Sequence, residues 1–193
     1  ADAPVERLIE GLALSEGPVW IGGKDGYLLL SDVTGNAIHR WSAKDGASIF
    51  LRPSGYAGPK SPIVLQPGSN GMIAARGGLV IADTGNRGIA RIDMRTKNKT
   101  MLCTHFEGKR FNSPNDVVVK SDGSIWFTDP SYGIDSEYEG DASASVFWPI
   151  KNGLKKSATC CMRSSVLVGA SKKIRSMLWA RNLAANSTHS SGG

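Results

Sequence analysis

From residue 151 to the end of this 193-residue chain there is no aspartate or glutamate. Eight of the 23 Lys and Arg residues lie there, leaving 15 basic against 17 acidic residues before it. The formal charge of +6 therefore belongs to the tail alone. A basic tail can meet an anionic partner, but no nucleic-acid fold or motif accompanies this one, so a nucleic-acid partner is not expected. Long apolar runs are also missing. None approaches the ~20 residues of a membrane helix, so no membrane partner is expected. Cysteine is scarce: Cys103, Cys160 and Cys161 form neither a disulfide framework nor the spaced pair of a zinc site. Unpaired thiols and the lack of a leader pattern favour a cytoplasmic protein. The chain starts at Ala1 rather than Met, and a leader already removed would place it in the periplasm or outside the cell. No Gly-x-Ser-x-Gly elbow or phosphate loop occurs, and His39 and His105 have no partners at triad or metal spacing.

Glycine, by contrast, is abundant at 23 residues, and the chain repeats itself. Asp32-Val33-Thr34-Gly35-Asn36-Ala37-Ile38-His39-Arg40 matches Asp83-Thr84-Gly85-Asn86-Arg87-Gly88-Ile89-Ala90-Arg91, with Asp, Ile and Arg at equal offsets and Thr-Gly-Asn slid by one. Short apolar runs, 27–31 and 78–82, lead into the two copies, and a third run, 124–128, ends at Asp129. The three aspartates stand 51 and 46 residues apart, and four-stranded propeller blades repeat at about 40–50 residues. The runs read as strands bounded by Gly, Asn and Asp. Lys24-Asp25-Gly26, Arg76-Gly77-Gly78 and Ser121-Asp122-Gly123 read as tight turns whose glycines take positive φ. Strands are expected next at 37–41 and 48–51, and at 89–92 and 100–103. The fold class is all-β, a propeller of about three blades; a β-sandwich is the second choice.

Before each Asp-ending strand comes one that would lie nearest a propeller axis, opening at Ser15-Glu16, Ser69-Asn70 and Ser113-Pro114-Asn115. Glu16, Asn70 and Asn115 then occupy matching places on three blades, at one mouth of the channel. One carboxylate with amide oxygens suits a hard divalent cation such as calcium. Asparagines that only cap turns are the other reading. Asp32, Asp83 and Asp129 read as strand-end residues that bond the following hairpin.

Ser15-Glu16-Gly17-Pro18-Val19-Trp20, Gly78-Leu79-Val80-Ile81-Ala82-Asp83 and the stretch from Phe106 through Ser113-Pro114-Asn115-Asp116 to Thr128-Asp129-Pro130-Ser131-Tyr132-Gly133 closely resemble the gluconolactonase, senescence-marker-protein and luciferin-regenerating-enzyme family, over residues 5–137. The resemblance implies a six-bladed lactonase-type propeller with one divalent metal (calcium, zinc or manganese) and a small-molecule lactone as substrate. It implies Glu16 and Asn115 as metal ligands and Asn70 in the substrate pocket. The family's other two ligands, an Asn and the Asp usually given the general-base role, belong to later blades. Neither motif follows residue 137, so no catalytic residue is assigned, and the chain is expected to be a truncated metal-dependent sugar-lactone hydrolase. An inactive propeller fragment or interaction module is the alternative. The domains are accordingly 1–137, a partial propeller, and 138–193, a divergent Ser/Lys-rich tail. The abrupt loss of acids and turns fits a shifted reading frame or a disordered end, and 166–179 lacks a clean helical period.

Overall fold

The computed structural model describes residues 4–75, 77–106 and 108–135. The chain divides into Ala1–Cys160 and Cys161–Gly193, and every described residue belongs to the first unit. The readings made for 138–193 lie outside the described residues.

All regular structure among the described residues is β-strand. Strands β1 (Ser15–Ile21), β2 (Tyr27–Asp32), β3 (Ala37–Ser42) and β4 (Gly46–Leu51) form one antiparallel meander in that order. Strands β5 (Met72–Ala75), β6 (Gly78–Asp83), β7 (Gly88–Asp93) and β8 (Lys99–Cys103) form a second. A small hairpin, β9 (His105–Phe106) with β10 (Lys109–Arg110), leads to a third unit begun by β11 (Val117–Val119) and β12 (Ile125–Phe127). The first strand of each unit is a neighbour of the next, with β5 beside both β1 and β11. These are the inner strands of successive propeller blades.

The middle blade shows why this is no two-sheet sandwich. Every residue of β6 is buried. Alternate side chains of a strand point to opposite faces. Leu79 and Ile81 thus join Val19, Leu29, Ile38, Met72, Ala90 and Ile92 in a core against the first blade. Val80 and Ala82 join Ile89, Phe106, Phe111, Val117, Ile125 and Phe127 in a core toward the third. Phe111 meets Phe127 edge-on with ring centroids 5.1 Å apart, a favoured aromatic geometry. An unbroken apolar run, rather than an alternating one, is what a strand covered on both faces requires.

Several local expectations need correction. The inner strands of blades two and three begin at Met72 and Val117, later than expected, although single ladder bonds extend them backward. The β9–β10 hairpin was not anticipated. Gly77 and Gly123 do take positive φ in their turns, but at the first turn Gly23 does so and Gly26 does not. Gly26 instead lies against the Trp20 ring. The sliding Thr-Gly-Asn is also resolved. The left-handed residue is the fourth after the aspartate in both copies, Asn36 (φ 52°) and Arg87 (φ 56°). The turn thus follows the Asp-to-Ile offsets, because the flanking strands set its length.

Candidate functional site at the blade ends

The three polar residues singled out from sequence stand at equivalent rungs. Glu16 pairs with Ser31, the residue before Asp32. The Asn70 N–H donates to the Ala82 carbonyl (2.9 Å), one residue before Asp83. The Asn115 N–H donates to the Thr128 carbonyl (2.9 Å), one residue before Asp129. Neighbouring main chains touch at this level. The Gly71 N–H donates to the Asn115 carbonyl at 2.7 Å. A methyl group on Gly17, whose φ is 51°, would fall 2.4 Å from the Asn70 carbonyl oxygen. On Gly71 it would fall 2.8 Å from the Asp116 Cα and 2.9 Å from the Asn115 oxygen. Glycine after the polar residue is therefore what lets three inner strands close on one another. Gly71→Ala is expected to lower stability by about 1–3 kcal/mol through this overpacking, read as a lower urea midpoint. An unchanged midpoint would show that the strands have room.

With their main chains committed, the three side chains are left unused. Asn70 has only 4% of its surface exposed, yet its amide has no hydrogen-bond partner among the described residues. The half-buried Asn115 amide and the exposed Glu16 carboxylate are likewise unengaged there. The Asn70 amide atoms are not sealed from solvent, so they remain able to bond water, a solute or an ion.

The strand-end aspartates hold the chain that leads into this layer. Burial pushes the Asp32 carboxyl up, but N–H groups of Leu14, Gly35 and Ala13 outweigh it and hold the group below the ordinary range. Asp83 is fully buried, accepts from Asn86, and pairs with Lys99 at 2.7 Å. Asp129 is 2% exposed; Oδ2 accepts the Asn112 N–H at 2.9 Å and Oδ1 has no partner. Burial raises its carboxyl to about 6, against backbone donors and the Arg87 charge. Sequence reasoning took these aspartates as structural residues bonding the following hairpin; Asp32 and Asp83 do so through Gly35 and Asn86, whereas Asp129 bonds back to Asn112. It missed Gly17 and Gly71, although Gly follows the polar residue in both Glu16-Gly17 and Asn70-Gly71.

These donors fit in part the divalent ion that the resemblance implies. A carboxylate and amide oxygens are the ligand chemistry of a hard cation, which takes about 6–8 oxygens. Glu16 and Asn115 are of the right kind, but they belong to the first and third blades with the inner strand of the second between them, and they are a fraction of such a shell. Among the described residues no cluster of three or more His, Cys, Asp or Glu side chains is placed to hold a metal.

The family model described as the SMP-30/gluconolactonase/LRE-like region matches residues 14–159. The chain belongs to this family. The gluconolactonase of Zymomonas mobilis is 41% identical over 141 residues, covering 72% of this chain and 39% of that protein. A structural-genomics structure assigned to gluconolactonase superposes with a TM-score of 0.62 at 30% identity, over 76% of this chain and 48% of that one. The Xanthomonas campestris gluconolactonase does so with 0.58 at 28%, over 70% and 43%. This member of the gluconolactonase family thus spans less than half the length of these relatives, and its blades are propeller blades of their type.

Proposed function

We propose that this chain carries the first part of the site of a divalent-metal-dependent sugar-lactone hydrolase. The observation that carries the reading is the set of three unengaged polar side chains, Glu16, Asn70 and Asn115, at one rung of three touching inner strands. Family membership supports the reaction class, and a relative 41% identical is a gluconolactonase.

Glu16 and Asn115 would hold the cation, with carboxylate and amide oxygen as donors. Such an ion polarises a carbonyl oxygen as a Lewis acid. Asn70, nearly enclosed, can both donate to and accept from a sugar hydroxyl. Its fixed main chain keeps that amide in place, so the substrate is oriented without ordering the side chain afresh. No general base is assigned to this chain; an acidic side chain from a later blade would supply that role.

Hydrolysis of D-glucono-δ-lactone with added calcium, zinc or manganese tests the reading. Glu16→Gln is expected to weaken divalent-metal affinity by at least about tenfold, measured by titration calorimetry, and to reduce turnover with it. Metal binding and hydrolysis both unaffected by Glu16→Gln would sink the assignment. Folded protein that neither binds metal nor hydrolyses lactone would favour the inactive fragment.

A further inference from the structure

Thr84 lies outside the polar set just described, yet its side chain acts on that set's main chain. It is 1% exposed, and its hydroxyl donates to the Pro114 carbonyl at 2.6 Å. Proline has no N–H, so this carbonyl is the only main-chain polar group by which residue 114 can be held. The Asn115 N–H, in the same peptide unit, donates to the Thr128 carbonyl, and the Asn115 carbonyl, in the next unit, accepts from the Gly71 N–H. Ser113, on the other side, donates to the Pro130 carbonyl from N–H and hydroxyl and accepts the Gly133 N–H. The Thr84 bond is thus the second of two fastenings on the peptide joining Pro114 to Asn115, and the one that holds its carbonyl end.

The repeat shows that the hydroxyl is not a requirement of the fold. The residue after the strand-ending aspartate is Thr84 in blade two but Val33 in blade one, where it is fully buried. Valine has the shape of threonine without the donor. The residue of blade two that corresponds to Pro114 is Ser69, whose own N–H donates to the Ser54 hydroxyl at 3.0 Å. Ser69 is thus anchored through a group that Pro114 lacks. The hydroxyl occurs at the blade boundary where the next inner strand carries proline, and valine occurs where it does not.

We infer that Thr84 is a positioning residue: by fixing the Pro114 carbonyl it sets the orientation of the Asn115 side chain toward the bound ion or lactone. This rests on the hydrolase reading for its catalytic consequence, but not for the geometry.

The test compares Thr84→Val with Thr84→Ser in the full chain, and with Ile89→Val, a buried core change in strand β7 that removes no hydrogen bond. Three quantities are read: the side-chain amide NMR signals of Asn115, kcat and KM for D-glucono-δ-lactone with added divalent metal, and the urea midpoint. Thr84→Val is expected to move the Asn115 amide signals and lower kcat/KM by about ten- to hundredfold, the scale of a misplaced contact group. Thr84→Ser restores both, and Ile89→Val changes neither. Asn115 signals in Thr84→Val that overlay the wild type would overturn the inference, as would equal kcat/KM losses in Thr84→Val and Ile89→Val. If the wild type hydrolyses no lactone, the hydrolase reading fails, and the amide signals still decide whether Thr84 orients Asn115.

Discussion

Lys99→Met is expected to destabilise the protein by about 3–5 kcal/mol, the usual cost of removing one partner of a buried ion pair. The Lys99 ammonium reaches Asp83 at 2.7 Å and the carbonyls of Ser54 and Gly55 at 3.0 and 2.8 Å. Asp83 is fully buried, and its other donors come from Asn86. Methionine fills much the same volume but supplies neither charge nor donors. The Asp83 carboxylate would then stay buried without its counter-charge, and two carbonyls of the segment linking blade one to blade two would lose a partner. Urea unfolding of the single variants and of Lys99→Met/Asp83→Asn measures the coupling. The double variant should recover part of the loss, because the stranded charge is gone. A loss below about 1 kcal/mol in Lys99→Met would place this pair with solvent-screened surface bridges.

A second large effect should follow pH. The Asp129 carboxyl is raised from 3.8 to about 6, first by burial, against the pull of backbone donors and Arg87. A folded value above the unfolded one means that the neutral form is favoured in the fold. The corresponding stability is fully present below about pH 4 and is lost as pH rises through about 6. A rise of that size corresponds to about 3 kcal/mol. Asp32, whose carboxyl is lowered, works in the opposite sense and loses its contribution on acidification. The comparison must therefore be with Asp129→Asn, which keeps an acceptor for the Asn112 N–H but does not titrate. Wild-type stability relative to this variant should fall by about 3 kcal/mol between pH 4 and pH 7. Parallel profiles for the two proteins would show that Asp129 has an ordinary acidity. The same group grips the chain just before Ser113, so acidity and the mounting of Asn115 are joined through one buried oxygen.

Much of the architecture is legible along the chain because it is written in local chemistry. A strand ending in Asp, a short turn and a return strand are specified by neighbours within about ten residues. Recurrence near 50 residues then announces blades. The start of the inner strands was less legible. At Ser69-Asn70-Gly71 and Ser113-Pro114-Asn115-Asp116 the backbone bonds run partly between blades, as in Gly71 to Asn115, and no pattern internal to one blade reports such a bond. The left-handed turn residue was obscured for a related reason. Matching letters put Asn36 opposite Asn86, whereas the ladder puts it opposite Arg87.

The sequence by itself determined the all-β class, the repeating unit, the family resemblance and the alignment of Glu16, Asn70 and Asn115, since each depends on residue type and spacing. Tertiary structure decided what those positions can do. Packing of adjacent inner strands through Gly17 and Gly71 occupies the main chain and leaves three side chains unengaged. All three strand-end aspartates are buried, and their partners set them apart although the strand endings read alike: N–H groups of Ala13, Leu14 and Gly35 at Asp32, the Lys99 ammonium at Asp83, the Asn112 N–H at Asp129. A hydroxyl at Thr84 becomes significant only when the fold brings it to Pro114, thirty residues on. Burial and contact between distant segments arise from the packing of blades, and the physical chemistry of a side chain is set by that surrounding rather than by its neighbours in the chain.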